Sequence, residues 1–91
     1  MGPKPIAKKR SIKEIRKITQ EARNRAYERS IENAHSLIET TAEQGEWFCQ
    51  MSAADFYDRV QDFVNYFINL GYNISFDDEY CSVFISWKEK F

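Results

Sequence analysis

The stretch SAADFYDRVQDFVNYFINLGYNISFDDEYCSVFISW, residues 52–87, decides the fold. Ser52 followed three residues later by Asp55 has the form of a helix N-cap, a hydroxyl and a carboxylate set against orphan backbone N–H groups and the positive end of the helix dipole. Phe56, Val60, Phe63, Val64, Phe67 and Leu70 then recur at three- and four-residue spacing, the signature of one buried helical face. Asp55, Asp58, Asp62 and Asn65 fall on another face, open to water. Gly71 supplies the left-handed residue that stops the helix. Beyond it Tyr72, Ile74 and Phe76 alternate with Asn73 and Ser75, the period of a strand with one covered face. Asp77-Asp78-Glu79 reads as a turn, bulged or longer than two residues because no Asn-Gly or Asp-Gly pair is present. Cys81, Val83, Ile85 and Trp87 alternate with Ser82, Phe84 and Ser86 in a second strand. This strand is the most apolar, which places it in the middle of the sheet.

Upstream, Trp47 to Met51 reads as a short first strand, with Trp47, Cys49 and Met51 on one face and Phe48 and Gln50 on the other. Ser11-Ile12-Lys13-Glu14 is a capping box. No Gly or Pro follows until Gly45, so one helix is expected over 11–44, with a loose stripe of Ile and Ala from Ile12 to Ala42. Such a helix spans about 48 Å at 1.5 Å per residue, more than a domain of this size covers. Its half from Ser30 to Glu43 has the fuller apolar face and should dock on the sheet; the half from Ile12 to Arg29 should project or pair with another helix.

The expected fold class is therefore α+β: a long N-terminal helix, then β-α-β-β, with a three-stranded antiparallel sheet in order 1-3-2. The elements are helix 11–44, strand 47–51, helix 53–70 and strands 72–76 and 80–87. They form a single domain over 11–91, preceded by a flexible basic arm over 1–10 that holds both prolines. A right-handed crossover makes the first two strands parallel in direction and leaves the third to fit between them. The helix over 53–70 covers the Val83 face. Two readings stay open for the opposite face, which carries Phe84 and Tyr80: cover by the C-terminal half of the first helix, or cover by a partner or second copy.

Ninety-one residues bury a limited core, so oligomerisation is a reasonable source of further burial. The chain has no apolar run of membrane-spanning length and no apolar region of a secretory signal, so it reads as intracellular, in the cytoplasm. Cys49 and Cys81 lack a Cys-x-x-Cys spacing or a neighbouring histidine and read as reduced core thiols. The formal charge of −1 hides a split. Residues 1–29 hold ten bases against three acids, a balance of +7. Residues 30–91 hold three bases against eleven acids, a balance of −8. A division this large concerns partners, or the packing of copies, more than fold.

No catalytic or cofactor motif is present. The three glycines make no phosphate loop, and His35, the one histidine, has no nucleophile marked beside it. Asp77-Asp78-Glu79 lacks the spacing of a calcium loop. Asp55, Asp58 and Asp62 form one acidic helical ridge, which reads as a hydrated face before it reads as a mimic of a phosphate backbone. No cofactor or metal is expected, and the protein reads as a non-enzyme.

Three short pieces, Ile38 to Gly45, Leu70-Gly71-Tyr72 and Ile85-Ser86-Trp87, resemble small accessory proteins of tailed bacteriophages, in which a charged N-terminal helix precedes strand, helix and a hairpin closing in Ile-Ser-Trp. The likeness covers about the last 55 residues and carries over no functional residue. It implies a phage-encoded protein that acts by binding, on a host factor or defence system or in a virion.

The leading expectation is a protein–protein interaction factor and homo-oligomer. Arg16, Arg23, Arg25 and Arg29 make its electrostatic contacts, and Trp47, Phe48 and Phe84 its apolar ones. The alternatives are a nucleic-acid-binding accessory factor that uses the basic N-terminal helix, a virion structural component, and a sponge that holds a small ligand at a subunit interface.

Overall fold

The computed structural model describes residues 9–89, so the basic arm expected over 1–10 lies almost wholly outside it. The described chain runs α1 (Ile12–Glu43), β1 (Phe48–Ser52), a 3-10 turn (Ala54–Arg59), α2 (Val60–Asn69), β2 (Asn73–Asp77) and β3 (Ser82–Ser86). The three strands form one antiparallel sheet in the order β1-β3-β2. The fold is α+β, with the most apolar strand in the centre.

Helix α1 opens on the capping box. The Glu14 N–H donates to Ser11 Oγ at 3.2 Å, and the Ser11 N–H donates to Glu14 Oε1 at 3.1 Å. It closes where Gly45 takes φ +85°, with the Gly45 N–H donating to the Ala42 carbonyl and the Glu46 N–H to the Thr41 carbonyl. Gly71, at φ +98°, ends α2 in the same way.

The helix expected to begin at a Ser52 cap is built differently. Ser52 closes β1, and its hydroxyl accepts from the Ala54 N–H, a local turn that leaves no cap for a longer helix. A 3-10 turn follows, and the backbone breaks at Phe56 (φ −133°, ψ 25°) before α2 starts at Val60. The break lets Phe56 face the core, where its ring stacks on Phe63 at 3.9 Å. Leu70, expected on the buried face, lies exposed at the α2 C-cap. Cys81, expected in the second hairpin strand, sits before it in a left-handed turn conformation (φ 48°).

One core joins all the elements: Ala34 and Ile38 from α1, Cys49 from β1, Ala53, Phe56, Phe63 and Phe67 from the α2 region, and Val83 and Ile85 from β3. Both helices therefore cover the same face of the sheet, the one bearing Cys49, Met51, Ile74, Phe76, Val83 and Ile85. This overturns the reading in which α1 covers the Phe84 face. Small side chains let α1 approach: Ala34 is fully buried, and buried Ser30 turns its hydroxyl back onto the Ala26 carbonyl at 2.9 Å.

The α1–α2 seam is fastened at intervals along α1. Tyr27 packs edge-on to Phe63 and lies under the Arg59 guanidinium, 3.8 Å from the ring centre. His35 Nε2 and the Tyr66 hydroxyl share a hydrogen bond of 2.8 Å. Arg23 makes a two-pronged contact with Asp58, at 2.8 and 2.6 Å. N-terminal to Arg23, every described side chain is exposed. The free half of α1 stretches the described chain to 69 × 26 × 24 Å.

Candidate interaction surfaces

Two surfaces lie outside the core. The first is the projecting half of α1. Ile12, Ile15 and Ile18 are 66, 49 and 41% exposed there. At about 100° of rotation per residue, Ile15, Ile18 and Ala22 lie between about a third and a half of a turn away from the docked face made by Tyr27, Ser30, Ala34 and Ile38, while Ile12 falls in line with Ser30. The apolar residues of α1 thus form two stripes on different sides: one faces the core, and the other faces outward and is exposed. Along the same outward side, α1 continues into exposed Arg25 and Arg29. Lys13, Arg16 and Lys17 occupy the other side of the projecting half. Among the described residues, none of these five bases reaches a carboxylate; the ion pairs there are Arg23–Asp58 and Arg59–Asp62.

The second surface is the outer face of the sheet. Antiparallel register sets Phe48, Gln50 and Ser52 of β1 beside Ser86, Phe84 and Ser82 of β3, which in turn sit beside Asn73, Ser75 and Asp77 of β2. The diagonal pair Phe48 and Phe84 stacks at 4.9 Å with planes 17° apart, yet the two remain 47 and 41% exposed. Next to Phe84 a groove of about 540 Å³ runs past Gln50, Ser75 and Ser82 to the acidic turn Asp77-Asp78-Glu79. Asp77 Oδ1 accepts from the Glu79 and Tyr80 N–H groups and shapes that turn, while Asp78 accepts from the Tyr57 hydroxyl at 2.9 Å. That hydrogen bond raises the Tyr57 pKa above its ordinary value.

The residues expected to bind a partner are thus dispersed. Phe48 and Phe84 come together. Trp47, although 53% exposed, lies apart from them, where the Trp87 N–H donates to its carbonyl and both indoles border a shallow cavity of about 340 Å³. Arg16, Arg25 and Arg29 are exposed. Arg23 is engaged within the chain, and its guanidinium, first through the hydrogen bond and then by charge, holds the Asp58 carboxyl below the usual carboxylate range. Sequence reasoning missed the outward stripe of Ile15, Ile18 and Ala22, because it merged these residues with the docked face. Plotting α1 at 100° per residue separates the two.

The depressed Asp58 value has a pH consequence. A carboxyl whose folded pKa lies below its unfolded one contributes stability above the unfolded value and loses it as pH falls through the folded value. The Asp58→Asn variant is therefore expected to match the native protein more closely at about pH 2 than at pH 6 in urea melts. An equal midpoint difference at both pH values would show that the pair does not couple to folding.

Cys49 is buried, and burial pushes its thiol pKa up, away from nucleophilic character at neutral pH. His35 is tied to Tyr66 and its ring packs on Phe67. Among the described residues, no three His, Cys, Asp or Glu side chains are grouped to hold a metal, and no described helix is long and apolar enough to cross a membrane. No protein-family model, curated protein or solved structure matches the chain.

Proposed function

We propose that this is a non-enzymatic protein–protein interaction factor, encoded by a tailed bacteriophage and acting on a host or defence protein in the host cytoplasm. One observation carries the reading: the half of α1 beyond Arg23 is exposed at every described position and presents a defined basic side of Lys13, Arg16 and Lys17, to which no described carboxylate is bound. A helix held clear of its core is a means of display, and unneutralised bases on it steer an acidic partner surface into contact. The core beneath acts as the mount. The likeness of residues 38–45, 70–72 and 85–87 to phage accessory proteins supports the setting.

The test is capture from bacterial lysate by immobilised protein, with the triple variant Lys13→Glu, Arg16→Glu, Lys17→Glu run in parallel. All three positions are exposed, so the variant is expected to keep the native melting curve while losing at least about tenfold of the captured partner, as for disruption of an electrostatically steered contact. Full retention by the variant would overturn the reading. The same bases suit nucleic acid as the second reading; capture abolished by nuclease, with steep salt dependence, would transfer the function to it.

A further inference from the structure

We infer that the outer face of the sheet is covered in solution by the outward side of α1 from a second copy of this chain. Ile15 and Ile18 lie over the Phe48–Phe84 stack, and Arg25 and Arg29 lie against the acidic turn. This contact uses the side of α1 opposite the basic one assigned above to an outside partner, so either assignment can fail without the other.

Three observations meet here. Two of the apolar surfaces that the described residues leave exposed differ in shape. One is a ridge, the Ile15, Ile18 and Ala22 stripe. The other is a pair of stacked rings on a face otherwise made of polar side chains, where short Ser75 and Ser86 flank the rings and Ser82 is already buried beneath Gln50. Their charges are also complementary in position. The ridge continues into Arg25 and Arg29, which are exposed and have no described carboxylate partner, while the sheet face ends in Asp78 and Glu79. Finally, the lengths agree. From Ile15 to Arg29 along a helix is about 21 Å. From the Phe48 row to the Ser82 row is about 13 Å of strand, and the turn extends it by several ångströms more.

Two like sheet faces pressed together would bring two acidic turns and two domains of −8 into contact. The helix-on-sheet arrangement instead sets the basic third of one copy on the acidic remainder of another. Own-domain clash is avoided because Ile15 and Ile18 lie on the projecting half of α1, and Arg25 and Arg29 lie on the side of its docked half turned away from the core. A two-fold axis makes the exchange reciprocal and closes the assembly; without closure the same contact would propagate head to tail.

The test is light-scattering mass across a concentration series reaching about 100 µM, since one helix on a three-stranded face is a small interface. The wild-type protein is expected to approach twice its 10.8 kDa. Arg25→Glu/Arg29→Glu and Asp78→Lys/Glu79→Lys are each expected to weaken association at least about tenfold, the scale for an opposed charge contact turned repulsive. Asp77 is left intact because it shapes the turn, and Glu79→Lys alone, which spares the Asp78–Tyr57 hydrogen bond, is expected to weaken association in the same direction. Mixing the two variants restores opposite charges at both contacts, so a one-to-one complex is expected to reappear. A monomeric wild-type protein would overturn the proposal. So would a dimer indifferent to Asp78→Lys/Glu79→Lys, which is what helix-to-helix pairing predicts, or a mixture of variants that stays monomeric.

Discussion

Phe63→Ala is expected to cost about 3–5 kcal/mol and to leave the protein largely unfolded or barely folded at 37 °C. Phe63 is fully buried at the point where every layer meets. Its ring stacks on Phe56, tilts against Phe67 at 5.0 Å and receives Tyr27 edge-on from α1. Removing it opens a cavity that the surrounding rings cannot collapse to fill, because each is fixed by another contact. Phe56 is held by the backbone break, Phe67 by Tyr72 and His35, and Tyr27 by Arg59. A domain of this length has a total stability of roughly 5–14 kcal/mol, so the loss is a large fraction of the whole. Urea denaturation followed by circular dichroism measures it. A cost under about 1 kcal/mol would mean that the aromatic cluster is not the keystone of the core.

The second large effect comes from a contrast between neighbours on one strand. Ile85→Ala is expected to cost about 2–5 kcal/mol, and Phe84→Ala less than about 1 kcal/mol in dilute protein, in the range of surface changes. Phe84 is the larger side chain, so residue size alone would reverse the order. Position decides: Ile85 is fully buried beneath both helices, between Cys49 and Ile74 on the flanking strands, while Phe84 faces outward. Comparable losses at both sites, measured at low concentration, would mean that the outer face is covered within the chain after all.

That contrast also marks how far the sequence alone could be read. The alternation of Ile74 and Phe76 with Ser75, and of Val83 and Ile85 with Phe84, gave both hairpin strands their covered faces, and the apolar richness of β3 gave its central place. Gly45 and Gly71 announced the helix ends because few other residues hold a left-handed backbone at low cost. Local pattern could not announce which face α1 takes. Ser30 and Ala34 set the approach through smallness, and smallness is not a hydrophobic signal. Nor could it reveal Arg23–Asp58, a contact between residues 35 apart in the chain. Ser52 was misread because the serine hydroxyl serves a cap and a local turn through the same kind of bond, and β1 holds it for the turn. For the interaction surfaces, Phe48 and Phe84 were legible as outward by strand parity. Trp47 precedes β1, and parity does not bring it to their side.

The free half of α1 has one further consequence. Ile12 to Ala22 is too short to hold a helix by itself in water, where segments under about 12–15 residues are marginal. The docked half, however, already serves as a helical nucleus, so extension into the free half proceeds one bond at a time without the initiation barrier. The projecting segment therefore behaves as a zipper, frayed most at Ile12 and least at Arg23, and whatever lies against it completes the winding. Association through this segment is coupled to coil-to-helix conversion, which binds heat evolution to contact and makes the assembly loosen on warming well before the core melts.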